Sequence, residues 1–178
     1  MSCCGTNPGF DELDEVSKLV STKLAALRST RLANELSDDE CRVLADLVSL
    51  RDLKQDEILA QEGTIDNHLY VILGGNLGIV KNAGTDHAVT INTLSTGDFV
   101  GEMGFMDGTE LYASKVALGD TRVIGLEREK LESLLDAHPR IVYRVMRAII
   151  RVVHQVQRRL SMQQVELSNY IYKQHGRY

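Results

Sequence analysis

The chain has 178 residues, of which 43% are hydrophobic and 25% charged, and its net charge is −5. This length predicts one domain that needs no disulfide or structural metal, and the composition excludes a wholly disordered or collagen-like chain. No transmembrane-length apolar run and no secretory signal are present. We therefore expect a cytoplasmic protein with no membrane partner.

Cysteine and histidine usage argues against metal and catalytic chemistry. Three cysteines cannot form a disulfide framework or a four-cysteine iron–sulfur cluster. The neighbouring Cys3 and Cys4 are interpreted either as exposed thiols of a tail or as a redox or metal-binding pair. The five histidines form no H-x-H or H-E-x-x-H motif, and no G-x-S-x-G motif occurs. We expect no metal site, no catalytic residues and no enzyme activity.

The N-terminal part predicts helices over residues 11–50. Leu13, Val16, Leu19, Val20, Leu24 and Leu27 recur at helical spacing. Ser37 and Glu40 have the spacing of a capping box that starts a second helix, with Val43, Leu44, Leu47 and Val48 on its apolar face. Residues 1–31 are interpreted as a tail with an extra helix.

Residues 51–126 predict an all-β unit. Eleven of the fourteen glycines lie between Gly63 and Gly125, and no proline occurs there. Short apolar runs alternate with turn residues at a spacing of about ten, which is typical of a sandwich or jelly roll. The runs are EILAQEG, HLYVILGG, NLGIVKNAG, HAVTINTLSTG, KVALGD and TRVIGL.

The C-terminal part predicts a short helix over 127–137 and a long helix from 141 to 170. Two rows of the long helix repeat every seven residues, which favours pairing with a second copy of the chain through residues 142–170. The predicted dimer interface is Met146, Ile149, Val153, Val156, Leu160, Gln163 and Leu167, with Val142 and Tyr170 at the ends of the second row. Packing of its first half on the β-unit is the alternative.

Charge is divided unevenly along the chain. Residues 138–178 carry eight basic residues and one acid, whereas residues 1–137 carry 24 acids and 12 bases. Part of the positive charge forms one stripe on the long helix, made of Arg140, Arg144, Arg147 and Arg151. The stripe is interpreted as a solvated face or as ion pairing with the acidic body. A docking face for an acidic protein partner or nucleic acid is the other interpretation.

The segment Gly97–Val116, GDFVGEMGFMDGTELYASKV, carries the strongest functional signal. Glycines at 101 and 104 allow a ligand to approach the backbone, and free N–H groups at a helix start bind phosphate. Glu102 repels an anion, so its carboxylate suits a sugar hydroxyl. These residues predict a pocket for a ribose and a phosphate.

GDFVGEMGF resembles the phosphate-binding cassette of the cyclic nucleotide-binding domain in the catabolite activator protein family. EILAQEGTIDNHLYVILGGNLGIVK resembles the early strands of that domain, and HPRIVYRV the start of its dimerisation helix. The resemblance covers residues 32 to about 170. It implies a mainly β, double-stranded β-helix (jelly roll) domain over 32–137, with N-terminal helices and a long C-terminal dimerisation helix in 138–178.

The resemblance also implies roles for individual residues. Glu102 matches the glutamate that bonds the ribose 2′-hydroxyl. Gly101, Met103 and Gly104 match the backbone that faces the cyclic phosphate. The family's phosphate-binding arginine falls on Tyr112, followed by Ala113 and Ser114. Its base-contacting threonine and serine fall on Val156 and Gln157.

Two departures from the family pattern bear on the ligand. Loss of the arginine predicts binding of cyclic AMP or cyclic GMP that is weaker by roughly 1.5–3 kcal/mol. Lys115 would face away from Tyr112 in a strand, whereas Ser114 would share its face. Val156 cannot hydrogen-bond a base, although Gln157 can.

The resemblance predicts a bacterial, non-catalytic signal-transduction sensor with a cyclic nucleotide-type pocket, acting through a dimer or a partner protein. The alternative is a protein-interaction module without a nucleotide ligand. The family's regulators continue into a helix-turn-helix that the given sequence lacks, so we expect no sequence-specific DNA binding.

Overall fold

The computed structural model describes the backbone of residues 8–175. Side chains are described for residues 18–158 and for 161, 162, 164–166 and 169. Cys3 and Cys4 lie outside the described residues, as do the side chains of Leu160, Gln163, Leu167 and Tyr170. The interpretations placed on them above stay predictions.

The order of elements is helices, then strands, then helices. The first helical part contains α1 (Pro8–Arg28), a 3-10 turn (Ala33–Glu35) and α2 (Asp38–Leu47). The β-unit contains β1 (Val48–Leu53), β2 (Ile58–Ala60), β3 (His68–Gly74), β4 (Asn76–Lys81), β5 (Val89–Ser95), β6 (Phe99–Val100), α3 (Glu102–Asp107), β7 (Ser114–Ala117) and β8 (Thr121–Glu127). The chain continues with α4 (Arg128–Glu132) and α5 (Pro139–His175).

The eight strands form two antiparallel four-stranded sheets, in the orders β1-β8-β3-β6 and β2-β7-β4-β5. Both orders require the chain to cross between the sheets, which is the arrangement of a jelly roll. The predicted fold class is confirmed, including the flanking helices and the long C-terminal helix. The division into 1–31, 32–137 and 138–178 stays a prediction.

The helical prediction for residues 48–50 is wrong. Val48 follows α2 directly but pairs with Leu126 of β8, and the ladder continues to Leu53 opposite Thr121. Hydrogen bonding to β8 decides the conformation here, because a β-branched valine at a helix end suits either state. The helix predicted over 127–137 is also shorter than expected, since α4 ends at Glu132.

Strand β3 of the first sheet is buried on both faces. Tyr70 and Ile72 of β3 pack between the two sheets with Val123 and Leu77. Their neighbours on the same strand face the helices instead, in a second cluster that contains Leu69, Val71, Leu27, Leu44, Phe105, Leu131, Val145 and Ile149. Burial on both faces explains why β3 is a continuous apolar run without alternation.

The start of α2 has the predicted capping box. The Glu40 side chain accepts a hydrogen bond from the Ser37 backbone N–H at 2.7 Å, and Ser37 accepts one from the Glu40 backbone. Burial raises the pKa of Glu40, but the Ser37 hydrogen bonds and the Arg144 charge outweigh it and hold the pKa below its usual value.

The first half of α5 packs against the body. Ile141, Val145, Ala148 and Ile149 are all buried, and Val152 packs at the edge of the same cluster. Ile149 therefore belongs to the chain's own core. Other apolar side chains of α5 remain exposed, and they include Tyr143 (65% exposed), Ile150 (50%), Val153 (42%) and Val156 (46%).

Three arginines of the stripe form ion pairs with the acidic N-terminal part. Arg144 pairs with Glu40, and Arg151 pairs with Glu35. Arg147 Nε lies 3.6 Å from a Glu35 carboxylate oxygen. The interpretation as pairing with the acidic body is thus the one that the structure matches for these three residues, and it ties α5 to α2 and the 3-10 turn.

Candidate functional site

The helical part of the cassette begins where β6 ends. Gly101 has φ +90°, a left-handed conformation that turns the chain from β6 into α3. The Gly101 carbonyl accepts the first helical bond from the Phe105 N–H at 2.9 Å. Phe105 is 1% exposed and anchors α3 in the helical core cluster. A left-handed Gly108 (φ +69°) then ends the helix.

Both cassette glycines lie against other backbone. A Cβ added at Gly101 would be 2.5 Å from the His68 carbonyl oxygen and 2.7 Å from Lys115 Nζ. A Cβ added at Gly104 would be 2.7 Å from the Asp66 carbonyl oxygen. The glycines therefore allow the start of α3 to pack directly against the backbone of residues 66–68, in addition to any role toward a ligand.

Glu102 is the first residue of α3 and is partly exposed. Within the described part of the chain, no hydrogen bond or ion pair engages its carboxylate. The next residue, Met103, is 56% exposed. The start of the cassette helix therefore presents a carboxylate with free acceptor capacity beside backbone N–H groups.

Three predicted site residues follow the cassette, and they differ in how far their side chains are exposed. Tyr112 is 55% exposed, whereas Ala113 and Ser114 are buried. The Ser114 hydroxyl accepts a hydrogen bond from the Glu62 backbone N–H at 2.9 Å. Ser114 thus holds the loop before β3, and the Tyr112 ring lies at the surface.

Lys115 lies beneath the cassette, a position that the sequence did not indicate. Its side chain is 4% exposed, and Nζ donates a hydrogen bond of 2.9 Å to Asp66 Oδ2. Nζ also lies 5.4 Å from the centre of the Tyr70 ring, within the range of a cation–π contact. Lys115 and Ser114 lie on opposite faces of β7, and the face that carries Lys115 points into the interior between the two sheets.

The Asp66 carboxylate also contacts the other polar groups around this lysine. Its Oδ1 accepts a hydrogen bond from the His68 backbone N–H at 3.2 Å and one from the Tyr70 hydroxyl at 3.4 Å. His68 Nδ1 lies 3.0 Å from the same oxygen, and the His68 ring stacks on Tyr70. Burial and the Asp66 charge raise the pKa of Tyr70, so its hydroxyl remains a donor.

A second lysine lies beside residue 112. Lys81 Nζ donates hydrogen bonds to the Tyr112 carbonyl oxygen at 2.9 Å and to Glu62 Oε1 at 2.6 Å. The Lys81 hydrogen bond and one from the Asn82 backbone lower the pKa of Glu62. Lys81 thus holds the backbone at Tyr112, the residue that the resemblance would match to the family's arginine.

Gln157 is separate from these residues within one chain. It is exposed on α5, and no hydrogen bond joins it to the cassette among the described residues. Of the predicted ligand-binding set, the structure brings together Gly101, Glu102, Met103 and Gly104 at the start of α3, whereas Ala113 and Ser114 are buried where β7 begins. The cluster of Asp66, His68, Tyr70 and Lys115 was not predicted, since polar residues that lie far apart along the chain carry no spacing signal.

Metal-binding and membrane-spanning features are absent from the described residues. In that part of the chain, no group of three or more histidine, cysteine, aspartate or glutamate side chains is arranged to hold a metal ion. None of the described helices combines the length and apolar character that crossing a bilayer requires.

The sequence profile of the cyclic nucleotide-binding domain matches residues 50–138. The chain belongs to the cyclic nucleotide-binding domain family. The match spans β1 to the turn before α5 and so includes the cassette, Asp66 and Lys115. Solved structures that share the fold include the regulatory domain of Toxoplasma gondii PKA with cAMP and the regulatory subunit of a cAMP-independent protein kinase A from Trypanosoma cruzi bound to guanosine.

Known structures and proteins agree with this assignment. A cyclic nucleotide-binding domain from Methylobacillus flagellatus is 25% identical, with a TM-score of 0.68 over 85% of this chain and 84% of that one. The cyclic AMP receptor protein of Thermus thermophilus is 22% identical over 76% of this chain and 63% of its own. An NTE family protein of Mycobacterium bovis is 25% identical over 73% of this chain, which spans only 22% of that relative's length.

Proposed function

We propose that the chain is a non-catalytic cytoplasmic sensor whose cassette binds a 3′,5′-cyclic nucleotide. The observation that carries this proposal is the Glu102 carboxylate, which begins α3 and is engaged by no other described residue. A free carboxylate beside backbone N–H groups suits a ribose hydroxyl next to a phosphate. Membership of the family supports the same assignment.

Calorimetric titration with cyclic AMP and with cyclic GMP tests the proposal. The unmodified protein should bind one of them, with an affinity reduced by the absence of an arginine at position 112. Glu102→Ala should weaken that binding by roughly tenfold or more, because it removes a charged hydrogen-bond acceptor. Glu110→Ala, an exposed acid on the same segment, is the matched control and should change the affinity less than twofold, or about 0.4 kcal/mol.

A second candidate is an interaction module without a nucleotide. Exposed apolar side chains around the cassette favour it, namely Met103 (56% exposed), Met106 (44%), Tyr112 (55%) and Ile65 (60%). Clustered exposed apolar groups are typical of protein-binding surfaces. If no nucleotide binds and Met103→Ser with Met106→Ser abolishes capture of a partner, this candidate replaces the first.

We also propose that signalling uses a homodimer formed through α5. The exposed apolar residues Tyr143, Ile150 and Val153, together with the partly buried Met146, follow one another at intervals of three or four residues. This spacing makes a seam that a second copy of the helix can cover. The seam keeps Met146 and Val153 from the sequence prediction but replaces Ile149, which the body covers, by Ile150.

A further inference from the structure

The buried ion pair of Lys115 and Asp66 is costly to maintain. The two side chains are 4% and 10% exposed, and removing both charges from water costs more than an apolar pair of similar size would. Strands β4 and β7 could place apolar residues here, since the neighbouring Leu77 and Ala117 are fully buried. The presence of a buried ion pair at this place therefore indicates that Lys115 and Asp66 have a role other than packing.

The pair is oriented with its positive end toward the cassette. Lys115 Nζ lies 2.7 Å from the point where a Cβ on Gly101 would stand. No atom of the Asp66 carboxylate is among the three atoms nearest to that point, of which the third is at 3.7 Å. The His68 carbonyl oxygen lies 2.5 Å from the same point, and the ammonium offsets its negative end.

The ammonium also has hydrogen-bonding capacity left. A lysine has three N–H donors, and among the described residues only Asp66 accepts from Lys115. Asp66 Oδ1 is already engaged by His68 and Tyr70, so the carboxylate is held in place beside the lysine. The charge acts at short range in an interior of low dielectric.

We infer that Lys115 is the positioning residue for the anionic group of the ligand, supplying from beneath the Gly101 turn the positive charge that position 112 lacks. This inference rests on the proposed function, because it concerns the same pocket. The ligand concerned is the cyclic nucleotide of the proposed function, whose phosphodiester carries a single negative charge. The Lys115 ammonium attracts the ligand's phosphate electrostatically across the Gly101 turn and makes no bidentate contact with it.

The test compares a charged ligand with its uncharged counterpart. Cyclic AMP and cyclic GMP are titrated beside adenosine and guanosine, against wild type and the double variant Asp66→Asn with Lys115→Met. The double variant leaves no unpaired buried charge, and its fold is checked by circular dichroism and thermal melting. Lys115→Arg keeps the charge, and Lys81→Met removes the other lysine near position 112.

The inference predicts that the double variant binds the cyclic nucleotide about tenfold more weakly, while nucleoside binding changes less than twofold. Lys115→Arg should retain most of the affinity, and Lys81→Met should not reproduce the loss. Equal binding of the cyclic nucleotide by wild type and double variant would overturn the inference and leave the proposed function standing. An equal loss of nucleoside and nucleotide binding, or a loss confined to Lys81→Met, would overturn it in the same way. If the wild type binds no cyclic nucleotide, both fall.

Discussion

At the scale of single residues, the cassette depends on glycines that serve the protein's own packing. Gly101 combines φ +90° with a carbonyl oxygen 2.5 Å from its missing Cβ. A side chain there would meet backbone, which cannot move aside as a flexible side chain can. The sequence indicated only that glycine lets a ligand approach; the approach of His68 comes from the tertiary fold.

Gly101→Ala should therefore be strongly destabilising, by about 2–4 kcal/mol, because left-handed strain and a backbone collision add together. The matched control is Gly84→Ala, which also has a positive φ (+80°) but nothing within 4 Å of an added Cβ. That variant should lose only about 1 kcal/mol. Chemical denaturation measures both, and equal losses would show that the contact with His68 costs nothing.

Position 112 gives a gain-of-function prediction. Tyr112 is 55% exposed, so replacing it removes little packing. Tyr112→Arg should tighten cyclic nucleotide binding by about ten- to a hundredfold through a charge-assisted hydrogen bond. Tyr112→Lys tests charge without the bidentate geometry and should give a smaller gain. Calorimetry that finds no gain with either cation would place the phosphate away from residue 112.

At the scale of elements, sequence motifs predicted the structure correctly where interactions between neighbouring residues determine it. The capping box of Ser37 and Glu40 starts α2 as predicted, and the glycine-bounded runs became strands. The spacing of Val43, Leu44, Leu47 and Val48 predicts a helix that continues to residue 50, and only the pairing of β1 with β8 excludes it. Likewise, helical spacing alone does not predict that Ile149 is buried against the body whereas Ile150 is exposed.

The same limit applies to Lys115. Strand alternation correctly sets Lys115 and Ser114 on opposite faces, but it cannot decide which face is interior. The decision comes from the pairing of Ile79 with Lys115 and Leu77 with Ala117, which places Lys115 on the side of the inter-sheet core. A lysine on that side is unexpected until its partner Asp66, 49 residues earlier, is seen.

The capping box of α2 carries a pH prediction. Because the pKa of Glu40 is lowered in the fold, its stabilising effect is present above its ordinary value of 4.5 and is lost as the pH falls through the lowered pKa. Glu40→Gln keeps a side-chain acceptor for the Ser37 N–H but has no charge. Thermal melting between about pH 3 and 7 should show a shallower acid loss of stability in Glu40→Gln than in wild type. Parallel curves would contradict this.

At the scale of the whole molecule, α5 extends from the body and carries the exposed apolar residues of the proposed dimer seam. Its first half lies in the core cluster and is tied by arginine ion pairs to Glu35 and Glu40. Farther along, Val153 and Val156 are exposed. A dimer through the exposed seam would let a change in the body reach the second copy along one continuous helix of 37 residues.

Val153→Glu should shift the protein toward monomer, since a charge at a seam position would be buried without a partner. Gln155→Glu adds the same charge on another face of α5 and is the control that should leave assembly unchanged. Light scattering at tens of micromolar distinguishes these cases. A wild-type monomer, or the same loss of dimer in both variants, would contradict the seam.

Binding of a cyclic nucleotide at residues 101–104 is the property on which the proposed function and the inference about Lys115 both depend. It can be measured by titrating isotope-labelled protein with cyclic AMP and cyclic GMP and following the backbone amide signals in NMR spectra. We expect saturable shifts concentrated at Gly101, Glu102, Met103 and Gly104, with smaller shifts at Lys115. Unchanged cassette signals with both nucleotides at millimolar concentration, or shifts confined to α5, would contradict nucleotide binding at the cassette.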